Sequence, residues 1–461
     1  MNRKTITGFI LLLLILGDVP LTIGVGMNRD NPENYTYQST QTPLETNETC
    51  DGYTLCGIIP LNMNTGSYFP LLINMNKNEV KRWPAIPDPA KMLPGGSIIA
   101  PTGKIYKNWD NTHLSQLDWN GTIEWDFSGW VQDENGQYMA REHHDFEREG
   151  NPVGYYAPGQ DFVAHGKTLV LAHETVVNPN VSRKPIMDDV IYEVYWNGTL
   201  TDFEWHASDH IDEMGFTCKA RFGIWLNPGG PGLIIGCAPG DWLHINSMSL
   251  VGENKWYDQG DERFNPENII ICSRDGSFIA IISRQTGDIV WRYGPDFPSS
   301  DGGTKVGTLV GPHGAHVIPK GLPGEGNILV FDNGGFAGYG LFGLPNLIRF
   351  YSRVVEFNPM TLEIVQEYSH KNGLYPFPRY GDHHKLFSIS MCSVQRLPNG
   401  NTLISEALSA RVFEITSTNK VVWDYVYPDV RYVMYRAYRV PPEWVPGNPA
   451  GYPSWEKENS S

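Results

Sequence analysis

The chain is short of several things, and each shortage narrows the reading. Its 461 residues carry only six cysteines. There is no Cys-rich or His-x-Glu-x-His cluster, so no metal centre and no cofactor is expected. Positive charge is scarce: 35 Lys and Arg stand against 51 Asp and Glu, a formal net charge of −16. That balance argues against nucleic acid as a partner. Long helical periodicity is missing, which excludes a bundle. Only one apolar run is long enough to notice, Gly8 to Leu16 behind Arg3 and Lys4. It is too short to span a bilayer easily.

What is present is turn-rich and aromatic: 48 Gly, 34 Pro, 14 Trp and 23 Tyr, with 41% hydrophobic residues. This composition favours strands over helices and permits a large core. Two strand patterns alternate. One follows a Gly-rich or turn-like element, as in Gly166-Lys-Thr-Leu-Val-Leu, Gly326-Asn-Ile-Leu-Val-Phe and Gly400-Asn-Thr-Leu-Ile-Ser. The other is a hairpin with a polar centre, usually ending in an aromatic residue. It occurs at 72–83, 117–125, 194–205, 282–291, 355–366 and 413–423. Apolar residues flanking a turn-prone centre are the hairpin signature. The terminal Trp of most copies reads as a wedge between neighbouring sheets. Six hairpins predict an all-β fold, a six-bladed β-propeller.

The expected organisation is a signal peptide or membrane anchor at 1–20, a polar stalk at 21–50, the propeller at 51–445 and a tail at 446–461. Export places the protein outside the cytoplasm, secreted or at the cell surface, with membrane attachment through the N-terminus if the segment is kept. Sequons at Asn34, Asn47, Asn120, Asn180, Asn197 and Asn459 fit a glycoprotein. Cys50 and Cys56 are close enough for a small disulfide loop, and Cys218 with Cys237 for a second. Cys272 and Cys392, in apolar strands, read as buried thiols.

In a radial array the same strand of every unit faces the axis, so distant residues meet in one site. Candidates are His143-His144-Asp145, His244-Ile-Asn246, Arg274 after the strand Ile269-Ile-Ile-Cys-Ser, His313 and His316 in Gly-Pro-His-Gly-Ala-His, and the pair His383-His384. Strand alternation lets only one of His143 and His144 face the pocket. In an extended stretch, His244 and Asn246 share a face. Arg274 is expensive to bury unpaired and should meet a pocket, an anion or an acid. Several His with an Asn and an Arg suit an anionic substrate, and His can act as a nucleophile.

These motifs resemble the arylsulfotransferase family, the aryl-sulfate-dependent type that needs no nucleotide donor. The resemblance covers most of 85–445. It rests on His-His-Asp at 143–145, Trp-Leu-His-Ile-Asn-Ser at 242–247, Ser-Arg at 273–274, Pro-His-Gly-Ala-His at 312–316, the strand and turn at 326–334, and Gln-Arg-Leu-Pro-Asn-Gly-Asn-Thr-Leu-Ile at 395–404. Tyr435-Arg-Ala-Tyr-Arg439 adds to it. The resemblance implies a six-bladed propeller and ping-pong sulfuryl transfer between phenolic sulfate donors and phenol acceptors. His313 looks like the nucleophile that becomes sulfated. His144, His244, Asn246 and Arg274 would hold sulfuryl oxygens and assist proton transfer. Pro312 departs from the family's Gln before the nucleophile. The N-terminal β-rich domain of larger members has no counterpart ahead of the propeller, although self-association stays open. The alternative reading is a non-catalytic, glycosylated extracellular propeller that binds a ligand or assembles at a surface.

Overall fold

The computed structural model describes residues 48–62, 67–106, 109–150, 157–158, 162–297, 306–370 and 386–448. The expected signal segment and most of the stalk, the tail from 449, the sequons Asn34, Asn47 and Asn459, and His383-His384 lie outside them. The described strands run from Tyr53 to Val440. Among the described residues no helix is long and apolar enough to cross a membrane.

The architecture is all-β and propeller-like. Four four-stranded antiparallel sheets stand alone, where six had been expected. The other large sheet has eight strands. Its two four-stranded halves, Lys91 to Phe127 and Glu142 to His206, are joined at the pairing Glu142↔Asn111. The physical reason is local: the Asn111 side-chain amide also donates to the Glu142 carboxylate at 2.8 Å, so a buried polar pair fuses the halves. One stand-alone sheet closes the ring. In it the first strand, Tyr53–Pro60, pairs with the last, Tyr432–Val440.

All six hairpins form where the sequence places them, each as the outer pair of a sheet or half-sheet. Their terminal Trp residues, 83, 125, 205, 291 and 423, are buried. Four of them also reach the hairpin turn of the next sheet. Trp83 Nε1 donates to Asp118 O, Trp205 to Gly287 O, Trp291 to Pro359 O and Trp423 to Met75 O, at 3.0–3.2 Å. Where the pattern has Gln366 instead, its amide donates to Thr416 O at 3.1 Å. The wedge therefore fills space and, at every boundary except the one served by Trp125, also carries a directed bond across it.

The inner strands are Lys91–Met92, Glu142–Arg148, Ile245–Leu250, Pro312–Val317, Ser393–Arg396 and Tyr432–Val440. They surround an axial pocket lined by Lys91, Asp145, Ser247, Ser393 and Arg436 among others. Two insertions interrupt the repeat. A helical excursion with helices at Cys218–Leu226 and Gly230–Leu233 precedes Ile245–Leu250, and a two-stranded ribbon, Gly335–Tyr339 with Pro345–Arg349, interrupts a sheet. They pack together as a cap. A Cβ on Gly230 would come within 2.0 Å of Gly343 O, so only glycine permits this approach.

All six cysteines are free, which corrects both expected disulfides. Cys56 sits mid-strand opposite Leu71 and Ala437, while Cys50 is held separately by Glu414 and Arg439. Cys218 is exposed at the start of its helix, whereas Cys237 turns inward to touch His244. Cys272, in the strand Ile269–Ser273, and Cys392, just ahead of the strand Ser393–Arg396, are buried thiols.

Candidate active site

The cap's polar backbone reaches down to one end of the inner strands. Tyr339 Oη donates to Trp242 O at 2.6 Å and accepts from Gly229 N. Beneath it lie His144, His244, Arg274 and His313, drawn from three different sheets or half-sheets.

His313 is buried in the inner strand Pro312–Val317. Its Nδ1 lies 2.8 Å from Asn333 Oδ1 and 3.1 Å from Gly311 O, both acceptors, so Nδ1 carries the proton. Nε2 accepts from the backbone N–H of Met391 at 3.1 Å. The imidazole is neutral, because burial and then the nearby Arg274 and His244 charges push its pKa well below the usual range. Asn246 donates to Pro312 O at 2.8 Å, so it braces the strand that carries His313, while its Oδ1 has no partner.

His244 behaves oppositely. Burial disfavours its charge, yet Asp241 Oδ2 at 2.5 Å from Nδ1 outweighs it and lifts the pKa well above normal. Its φ of 50° is left-handed, so it does not sit in the extended stretch expected of it. The shared-face argument for His244 and Asn246 fails for that reason: the strand begins at Ile245 and bulges before Ser247.

His144 is the member of its pair that faces the cluster. Its ring meets His244 edge-on at 4.6 Å and Tyr435 at 6.2 Å. It also has a left-handed φ, 63°. Burial, then the charges of His244 and His173, keep it neutral. His143 points the other way, stacking on His173 with ring centroids 3.5 Å apart. Arg274 meets an acid, as its burial requires: it pairs with Asp275 and donates to Phe336 O at 3.0 Å, while Nε has no partner. Burial raises Asp275 to about 6, against the pull of Arg274.

His316 lies apart, lining the axial pocket, with burial lowering it to about 4. Sequence reasoning missed Asn333, Asp241 and the Met391 N–H. Asn333 had a signal, a polar residue directly after the apolar strand Ile328–Asp332. Asp241, three residues before His244, had a weaker one. Met391 had none, since a backbone donor depends on its left-handed φ of 61°. Two groups of side chains have metal-ligand geometry: His143, His173 and Asp189, and Cys237, Asp241 and His244.

A family model described as Arylsulfotransferase (ASST) matches residues 106–434. The chain belongs to this arylsulfotransferase family. The family in general moves sulfuryl groups from aryl sulfate donors to phenol acceptors. No curated protein matches the chain. Among solved structures it is similar to a protein of unknown function from Bacteroides caccae, at 13% identity, 84% of this chain, 98% of that chain and TM-score 0.40. It is also similar to a streptogramin B lyase, at 12% identity, 82% of this chain, 84% of that chain and TM-score 0.35.

Proposed function

We propose that this arylsulfotransferase works by ping-pong transfer through a sulfohistidine at His313. The observation that carries the reading is the protonation pattern. His313 holds its proton on Nδ1 against Asn333, which leaves the Nε2 lone pair as the nucleophile. His244 and Arg274 supply positive charge beside it, suited to a sulfate ester. In the first step Nε2 forms a bond to sulfur, the sulfur–aryloxygen bond breaks, and the leaving phenolate takes a proton from a neighbouring His. In the second an acceptor phenol gives up a proton to that His, its oxygen attacks sulfur, and the N–S bond breaks. His244, charged beside Asp241 and half-buried where His313 is buried, is the candidate for that proton, with His144 next to it to hold a sulfuryl oxygen. Met391 N–H, now on Nε2, yields to the sulfur and becomes a donor to a sulfuryl oxygen.

Six blades belong to the same reading: each half of the eight-stranded sheet has a blade's four antiparallel strands and its own wedge hairpin. Export and glycosylation are proposed with it, supported by exposed Asn120, Asn180 and Asn197. The test is incubation with p-nitrophenyl sulfate and a phenol acceptor. Acceptor-dependent nitrophenol release with a sulfated His313 peptide by mass spectrometry is expected. Folded protein that transfers nothing from several donors would return the reading to a non-catalytic, ligand-binding or surface-assembly propeller.

A further inference from the structure

Behind the histidine cluster lies a second group of polar side chains that sulfuryl transfer does not use. His143 Nε2 is 3.4 Å from Asp189 Oδ1. His173 Nε2 is 3.8 Å from the same oxygen and 3.9 Å from Asp241 Oδ1. All four side chains are at most 5% exposed. His143 Nε2, His173 Nε2 and Asp241 Oδ1 make no hydrogen bond, although each is fully enclosed. Three convergent buried polar atoms left unmet are costly, so something that accepts their lone pairs is wanting.

We propose that His143, His173, Asp189 and Asp241 bind a divalent first-row transition-metal ion, zinc foremost. Four ligands about 2.0–2.1 Å from a tetrahedral ion stand roughly 3.3–3.4 Å apart. His143 Nε2 stands at that distance from Asp189, and the two His173 contacts are about half an ångström wider, so loading draws His173 and Asp241 inward. Two imidazoles with two carboxylates suit zinc and its neighbours better than magnesium or calcium. The outer shell is built as well. Asp110 takes the other nitrogen of His173, Nδ1, at 2.7 Å, and Arg141 holds Asp110 at 2.8 Å. A carboxylate behind a ligating His fixes its ring and tautomer. Loading also requires the stacked rings of His143 and His173 to splay, because each lone pair lies in its ring plane.

The ion would set the protons of the neighbouring cluster. With metal on His143 Nε2, the remaining proton sits on Nδ1 and is donated to His144 Nδ1, 3.0 Å away. His144 then keeps its own proton on Nε2, fixed as a donor. Asp241 would bridge, one oxygen on the metal and the other on His244. This consequence for catalysis rests on the proposed transfer reaction, whereas the site itself does not.

The test uses the whole chain purified without chelator. Elemental analysis by inductively coupled plasma mass spectrometry is expected to find about one transition-metal ion per chain. Stripping with dipicolinate should lower the melting temperature, and micromolar Zn²⁺ should restore it. His173→Ala and Asp189→Ala should reduce bound metal at least tenfold while Cys237→Ser retains it. If those variants do not fold, anomalous scattering from wild-type crystals at the zinc edge locates the ion. Metal-free protein whose melting temperature ignores Zn²⁺, Mn²⁺, Co²⁺ and Ni²⁺ overturns the proposal. So does an ion that leaves with Cys237→Ser but not His173→Ala. None of these readouts depends on sulfuryl transfer.

Discussion

Two buried polar regions share the same inner strands, and they are finished to different degrees. On the axis, Asp145 takes Lys91 Nζ at 2.6 Å on one oxygen and Arg436 at 3.0 Å on the other. Lys91 also donates to Phe146 O, and Arg436 to Asn246 O and Tyr438 Oη. Burial alone would raise the Asp145 carboxyl, but the two cations hold it below the usual range. Immediately beside it, the histidine cluster leaves ring nitrogens and carboxylate oxygens unmet, and His144, His244, Met391 and Cys392 hold left-handed φ values. A network that satisfies itself is built for stability. One that keeps strained backbone and open valences is built to be completed by something else.

The sharpest way to break the comparison is to remove one member of each region. His313→Ala should lower sulfuryl transfer by roughly 10³–10⁶-fold, the usual loss on deleting a nucleophile. The protein should stay folded by circular dichroism. Unchanged turnover would take His313 out of the mechanism. Asp145→Ala should do the reverse. It leaves Lys91 and Arg436 buried without their counter-ion, which costs about 3–5 kcal/mol of unfolding free energy in denaturant titrations. A loss under about 1 kcal/mol would mean that water, not Asp145, neutralises the axis. Asn333→Ala sits between the two. It frees the His313 ring and its tautomer and should cut kcat by about 10²-fold with little change in KM. An equal loss in Asn333→Asp would show that charge, rather than ring orientation, is at stake.

The two regions also differ in how legible they were. The axial and rim elements repeat, so hairpins, wedge residues and the apolar strands after glycine turns could be read from spacing alone. The halves of the eight-stranded sheet could not, because their fusion depends on one Asn111–Glu142 pair with no periodicity behind it. At the site, His313, His144, His244, Asn246 and Arg274 stood out as polar residues breaking apolar strands. Their partners did not. Asp241, Asp189 and His173 come from loops and second or third strands, where polar residues are ordinary. The cap was missed because short glycine-rich helices have no apolar period to detect.

Titration sharpens the contrast further, since the cluster's histidines are pulled in opposite directions. His143, His144, His313 and His316 have depressed pKa values in the folded state. As pH falls below about 6.5, the unfolded chain binds protons there that the folded one refuses. Stability should therefore fall with acid, by roughly 1 kcal/mol per pH unit for each such residue. In the metal-free protein His173 and His244 are raised, so they stay protonated in the fold after the unfolded chain has lost those protons. Their contribution is full below about pH 6.5 and drains away as pH rises through the folded values. Stability from this cluster should peak near neutrality. In His244→Asn the alkaline slope should flatten while the acid slope remains, and a variant that flattens both would tie the effect to global loosening.

The smallest expected effect tests the rim, where four of the five wedge Trp side chains already have a carbonyl partner. Trp205→Phe keeps most of the apolar wedge but removes the indole N–H that donates to Gly287 O. The carbonyl lies in an exposed turn and can turn to water, so the loss should be about 1 kcal/mol. Transfer activity should not change, because the bond lies on the outer strands. Trp125→Phe is the matched control: its Nε1 is buried and has no partner, so removing it should cost less, or stabilise. If Trp205→Phe and Trp125→Phe destabilise equally, the wedges act by packing alone, and the directed bonds between sheets are incidental to the ring.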